Sequence, residues 1–138
     1  MSLRDKLLRV ALIAFGATFL LVYPLAALWP SGWAWHAGAP HDSQYFMMIV
    51  GVYATLGVFL INAARNPQAH VSLIWFTVWS SAVHALVMAV QSLQNAEHMG
   101  HLLGDVPALI LVAVVLAVLV PSSRKASTPM EAASRGGI

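Results

Sequence analysis

The chain has 138 residues; 59% are hydrophobic before glycine is counted and 9% are charged, whereas soluble domains carry about 45–50% apolar residues with glycine included and about 25% charged ones. At a mean hydropathy of +0.76, so much apolar surface cannot be hidden inside so small a particle, which excludes an ordinary soluble domain and leaves an integral membrane protein. The net charge of +2 comes from Lys and Arg beside apolar segments, which speaks for membrane orientation and against a nucleic-acid groove, and the absence of cysteine excludes disulfides, thiolate metal sites, thiol catalysis and c-type haem.

Residues 10–41, 43–64, 66–96 and 106–123 contain no Asp, Glu, Lys or Arg. Each stretch holds one helix of about 20 residues, enough to cross a hydrocarbon core of about 30 Å. The first span is placed near Leu7–Leu28, ended by Trp29-Pro30-Ser31-Gly32. A cleaved signal peptide with Leu25-Ala26-Ala27 as its small-residue site is the competing reading. The apolar run of about 20 residues exceeds the usual 7–15 of a signal, and Tyr23-Pro24 followed by tryptophans suits a retained anchor. The second span is near Gln44–Ala63. Arg65-Asn66-Pro67 follows, with Asn66 as N-cap and Pro67 at the first position of the third span, Gln68–Leu93. The fourth, Leu102–Val120, is interrupted early by Gly104 and Pro107, so that Asp105 either caps a short helix or lies within a kinked one. The expected fold is all-α: a polytopic membrane protein with four transmembrane helices in one bundle over residues 1–121, then a disordered cytoplasmic tail over 122–138.

Arg4, Lys6 and Arg9 precede the first span, Arg65 lies between the second and third, and Arg124, Lys125 and Arg135 follow the fourth. The other two loops carry no Lys or Arg. The positive-inside rule then puts both termini in the cytoplasm of a bacterial inner-membrane protein, and Trp29–Ser43 and Gln94–Asp105 on the far side. Trp29, Trp33, Trp35 and Tyr45 form an aromatic belt there. Helix association in lipid rests on small residues and buried polar contacts; Ala14 with Thr18 and Gly51 with Thr55 have the small-xxx-small spacing.

In the third span Thr77, Ser81, His84, Met88 and Gln91 recur at alternating intervals of four and three, placing a polar seam on one helical face, with Ser80 beside it. His84 within a span is a functional candidate by default. The bland alternative is a neutral histidine hydrogen-bonded to a carbonyl, or to Tyr53 or Thr55 of a neighbouring helix. On the far side, Glu97, His98, His101 and Asp105 concentrate imidazole and carboxylate, suited to Zn or Cu, and His36, His41 and Asp42 add further donors. Against a metal site stand Gly100 and Gly104, which disfavour the helix that would align His98, His101 and Asp105; the alternative is solvated interfacial histidines with Asp105 as a cap. One histidine well inside a span argues against bis-histidine haem. Every Asp and Glu falls in a loop or terminus in this topology, which argues against exporters that depend on a buried carboxylate. Ser80 or Ser81 with His84 lacks the context of a serine hydrolase.

The stretches Tyr53-Ala-Thr-Leu-Gly-Val-Phe-Leu60, Ala63-Ala-Arg-Asn-Pro67, Ser72-Leu-Ile-Trp-Phe-Thr-Val-Trp-Ser-Ser81 and His84-Ala-Leu-Val-Met-Ala-Val-Gln91 resemble an uncharacterised family of small four-helix bacterial inner-membrane proteins. The resemblance covers roughly residues 10–120, implies the topology and selects no reaction. A looser likeness to DoxX-type membrane proteins rests on size and span count. The leading functional reading is a non-enzymatic accessory or oligomeric bundle, alone or in a larger membrane complex, organised around His84 and Gln91 in contact with the lipid bilayer. The alternatives are a metal- or small-ligand-handling membrane protein and a lipid- or quinone-acting enzyme with His84 as base.

Overall fold

The computed structural model describes residues 2–34 and 37–120; Trp35 and His36 of the expected belt and loop donor set, and the expected tail at 122–138, lie outside the described residues. The described chain is helical throughout its regular elements. Ser2 opens the first helix with a capping box: its Oγ accepts from the Asp5 amide at 3.1 Å while the Asp5 carboxylate accepts from the Ser2 amide at 3.1 Å. Where the apolar run suggests one straight span, there are two helices, α1 (Leu3–Leu20) and α2 (Val22–Leu28), bent by 58°. Pro24 is the cause. It has no amide hydrogen, and its ring presses on the carbonyl four residues back, that of Leu20, where α1 stops.

A short helix α3 (Pro30–Trp33) and a 3-10 turn (Pro40–Asp42) lead to α4 (Gln44–Ala63), where Ser43 Oγ accepts from the Phe46 amide at 3.1 Å. Asn66 stands at the expected N-cap position with Pro67 first in the helix, but the opening turn, Pro67–His70, is 3-10: the Asn66 side chain makes no capping bond, and its backbone carbonyl accepts from Ala69 at 3.1 Å. Then come α5 (Val71–Gln94), a 3-10 segment (Ala96–Leu102) and α6 (Asp105–Leu119). Segments Gln44–Ala63, Pro67–Gln94 and Ala96–Leu119 are each long and apolar enough to cross a membrane, and the bent α1–α2 pair makes a fourth if it is one span.

Helix α1 packs on α4 and α5 packs on α6, with α1 meeting α6 between the two pairs, while α4 and α5 approach each other little. The main core, Leu8, Leu12, Leu60, Ile74 and Leu116 with their neighbours, lies toward the arginine end. There Arg9 Nη1 donates to the carbonyls of Ala64 (2.7 Å) and Arg65 (2.6 Å), and Arg4 donates to those of Val118, Leu119 and Val120 at 2.8–3.2 Å. These arginines satisfy the exposed carbonyls at the C-terminal ends of α4 and α6 and oppose their dipoles, a role beyond the topological one that their positions suggest.

The small-residue contact is not the expected one. Thr18 and Thr55 turn their hydroxyls onto their own helices, to Ala14 O and Gly51 O, both at 2.9 Å, and Gly51 faces open space. The close approach is Gly16 against Gly57, where a Cβ on either glycine would stand 2.5–2.7 Å from the other's carbonyl oxygen.

Candidate functional site

Because α4 and α5 approach each other little, the helices leave a partly open cavity of about 440 Å³ toward the tryptophan end. Its walls are Phe15 and Phe19 of α1, Val22 of α2, Trp33 of α3, Tyr45, Phe46 and Tyr53 of α4, and aliphatic residues of α5 and α6. The polar groups of this mostly apolar lining are the Tyr53–His84 pair, Gln91, Asp105 and the hydroxyls of Tyr45, Thr18 and Ser43, of which Thr18 donates to the Ala14 carbonyl and Ser43 accepts from the Phe46 amide.

Tyr53 Oη lies 2.7 Å from His84 Nδ1, joining α4 to α5 where their backbones are apart. The Tyr53 ring stands edge-on to Phe19 at 4.9 Å and packs against three apolar clusters of the described residues, so the hydroxyl is held in place by packing. Nδ1 is engaged by Tyr53, and Nε2 of His84 has no hydrogen-bond partner among the described residues. The pair therefore offers the cavity a donor and an acceptor in either tautomer. Of the other seam residues, Thr77 and Ser81 are buried, and Thr77 donates to the Leu73 carbonyl at 2.9 Å within its own helix. Met88 is buried and lines the cavity, and Gln91 is exposed at its edge.

The tryptophan end is closed by backbone-to-backbone packing. A Cβ on Gly100 would collide with the Ser31 carbonyl and one on Gly104 with that of Gly32, so only glycine lets the Ala96–Leu102 segment lie against α3. His101, 1% exposed, occupies this junction. Its Nε2 lies 3.2 Å from the Ala34 carbonyl and its Nδ1 lies 2.9 Å from Asp105 Oδ2. Asp105 is 6% exposed and lines the same cavity as Tyr53 and His84.

The profile of a family of unknown function (DUF6632) matches residues 3–136. The chain belongs to this family. No curated protein and no solved structure matches it, and the DoxX-type likeness has no counterpart in these comparisons.

In this DUF6632 chain the four expected metal donors part company. His101 and Asp105 meet in the interior, whereas Glu97 is exposed and His98 lies beside His101 with ring centres 6.0 Å apart. No three His, Asp or Glu side chains converge as an ion would require among the described residues. His41 and Asp42 are exposed neighbours at 3.5 Å. The placing of every carboxylate in a loop or terminus is corrected for Asp105: it is the first residue of α6, and its side chain is buried on the cavity wall. The residues that sequence reasoning missed are the aromatic walls, Phe15, Phe19 and Phe46, which read as ordinary span residues.

Proposed function

We propose that this is a small integral membrane protein that holds a small, largely apolar ligand in the cavity between α4 and α5, with Tyr53 and His84 orienting it. The carrying observation is the cavity itself. A volume of about 440 Å³ with aromatic walls and a few fixed polar groups is the usual form of a small-molecule site, which spans roughly 300–1,000 Å³. Helices that fit together only for stability would fill such a space with side chains, since protein interiors are close-packed.

The four-span topology with both termini in the cytoplasm of a bacterial inner membrane belongs to the same proposal. It is supported by Arg4, Arg9 and Arg65 at one end and Trp29, Trp33 and Tyr45 at the other. The chain lacks cysteine, so single cysteines at Ser2, Asp42, Asn66 and Asn95 can be labelled with an impermeant maleimide. The expected result is Asp42 and Asn95 reacting from outside and Ser2 and Asn66 only after lysis.

Ligand capture is tested with N-phenyl-1-naphthylamine, a neutral fluorescent apolar probe, on the full chain in mild detergent. Ala108 lines the cavity, and Ala108→Phe fills it. Saturable binding by wild type that disappears in the folded variant is expected; equal signal from both proteins rejects the site in favour of an accessory bundle without a ligand.

A further inference from the structure

Resting on the cavity reading above, we propose that the ligand is a lipophilic organic cation, taken up beside Asp105 in exchange for a proton held by the His101–Asp105 pair. The lining supports the sign of the charge. Among the described residues it contains one carboxylate, Asp105, and no Lys or Arg, and its walls present the rings of Phe19, Trp33, Tyr45 and Tyr53. Aromatic faces attract cations, most strongly where water is excluded, and an anion would meet Asp105 with no Lys or Arg among the described lining residues to offset it, the imidazole of His84 being already engaged at Nδ1 by Tyr53.

The proton follows from the hydrogen bonds. The Ala34 carbonyl only accepts, so His101 Nε2 carries a hydrogen; the 2.9 Å contact between Nδ1 and Asp105 Oδ2 then needs a second proton between two atoms that otherwise both present lone pairs. The pair is neutral overall whether that proton sits on nitrogen or oxygen. Among the described residues, the other titratable groups that face it or share the cavity are His98, with its ring 6.0 Å from that of His101, His84 from α5, and Tyr53 and Tyr45 from α4. Helices α1, α2 and α3 contribute Phe15, Thr18, Phe19, Val22 and Trp33 to the cavity, none of which titrates. A cation entering beside the neutral pair leaves a net positive charge buried in apolar surroundings, which is costly. Release of the shared proton restores neutrality: the N–H or O–H bond of the pair breaks, the proton leaves to solvent, and the carboxylate remains as the counter-ion. No electron transfer is involved.

The test compares benzyltrimethylammonium with its neutral isostere neopentylbenzene, by calorimetry on the full chain in mild detergent, in buffers of different ionisation enthalpy and at several pH values. The expected result is cation binding that releases about one proton and tightens about tenfold per pH unit while the pair is protonated. Asp105→Asn should weaken the cation at least about tenfold and leave neopentylbenzene bound. Should that variant not fold, proton release and pH slope on the wild type decide alone. Neopentylbenzene binding without the cation, or cation binding without proton release, overturns this inference and leaves the cavity reading standing. Failure of both compounds to bind removes both readings.

Discussion

The contact between α1 and α4 provides a quantitative check on how the bundle is held. In Gly57→Ala the new Cβ would lie 2.5 Å from the Gly16 carbonyl oxygen and 3.3 Å from Leu20 Cγ and Phe19 Cβ. The obstructing oxygen is backbone and cannot rotate away, so α1 and α4 must separate by about 1 Å to restore ordinary contact. Overpacking of this kind costs about 1–3 kcal/mol, against a gain of about 0.5–1 kcal/mol for alanine over glycine inside a helix. The net expectation is a loss of about 1 kcal/mol, within a range of about 0–2.5 kcal/mol. Gly51→Ala on the same helix has nothing within 4 Å of its new Cβ, so only the favourable backbone effect of about 0.5–1 kcal/mol remains. Reversible unfolding of both variants in mixed micelles, followed by circular dichroism, measures the difference. The two changes should have opposite signs; Gly57→Ala exceeding wild type would refute the close-approach argument.

Tyr53→Phe keeps the ring against Phe19 but strips Nδ1 of His84 of its partner, and should cost about 1–2 kcal/mol in the same assay. His101→Ala leaves Asp105 Oδ2 and the Ala34 carbonyl without the imidazole they share; breaking such a buried pair costs about 3–5 kcal/mol, and proteolysis should then cut first between α2 and α4. At the opposite end, hydrogen bonds from Ser2 hold the Asp5 carboxyl below its ordinary value. Its capping contribution is therefore fully present above the unfolded carboxyl pKa and lost as pH falls through the lower folded one. Carboxyl titration by NMR should show the Asp5 midpoint moving up in Ser2→Ala.

The long helices, apolar enough to cross a membrane, and their positions were legible because charge-free length is a one-dimensional property that each helix carries by itself. The bend at Leu21 was announced by Pro24, but whether a proline bends a span or sits inside it depends on what its neighbours can satisfy. The partnership of His84 with Tyr53 was among the options the residues allow, since both lie at interior-facing positions of their spans. Gly16 with Gly57 was not legible: a single glycine in each helix has no periodic signature, and only the crossing point of α1 and α4 gives the two a common location. Asp105 and His101 were noticed as candidate metal donors or a helix cap, and their burial against each other was not foreseen. Their spacing suggested a shared helical face on the far-side loop; Gly100 and Gly104 draw the segment against α3, and both side chains are buried there. Glycine read as a helix breaker was here the residue that permits backbone contact.

The claim that the cavity is a ligand site is tested most directly by locating a bound molecule. The full chain in lipid vesicles would be irradiated with a diazirine-bearing alkylbenzene and the labelled residues mapped by mass spectrometry. Label on Ile49, Tyr53, Met88 and Leu109, all lining the cavity, competed by excess unlabelled alkylbenzene and absent from Ala108→Phe, is the expected result. Label confined to the exposed faces around Phe76, Val83 and Leu86, indifferent to competitor and to Ala108→Phe, would contradict it.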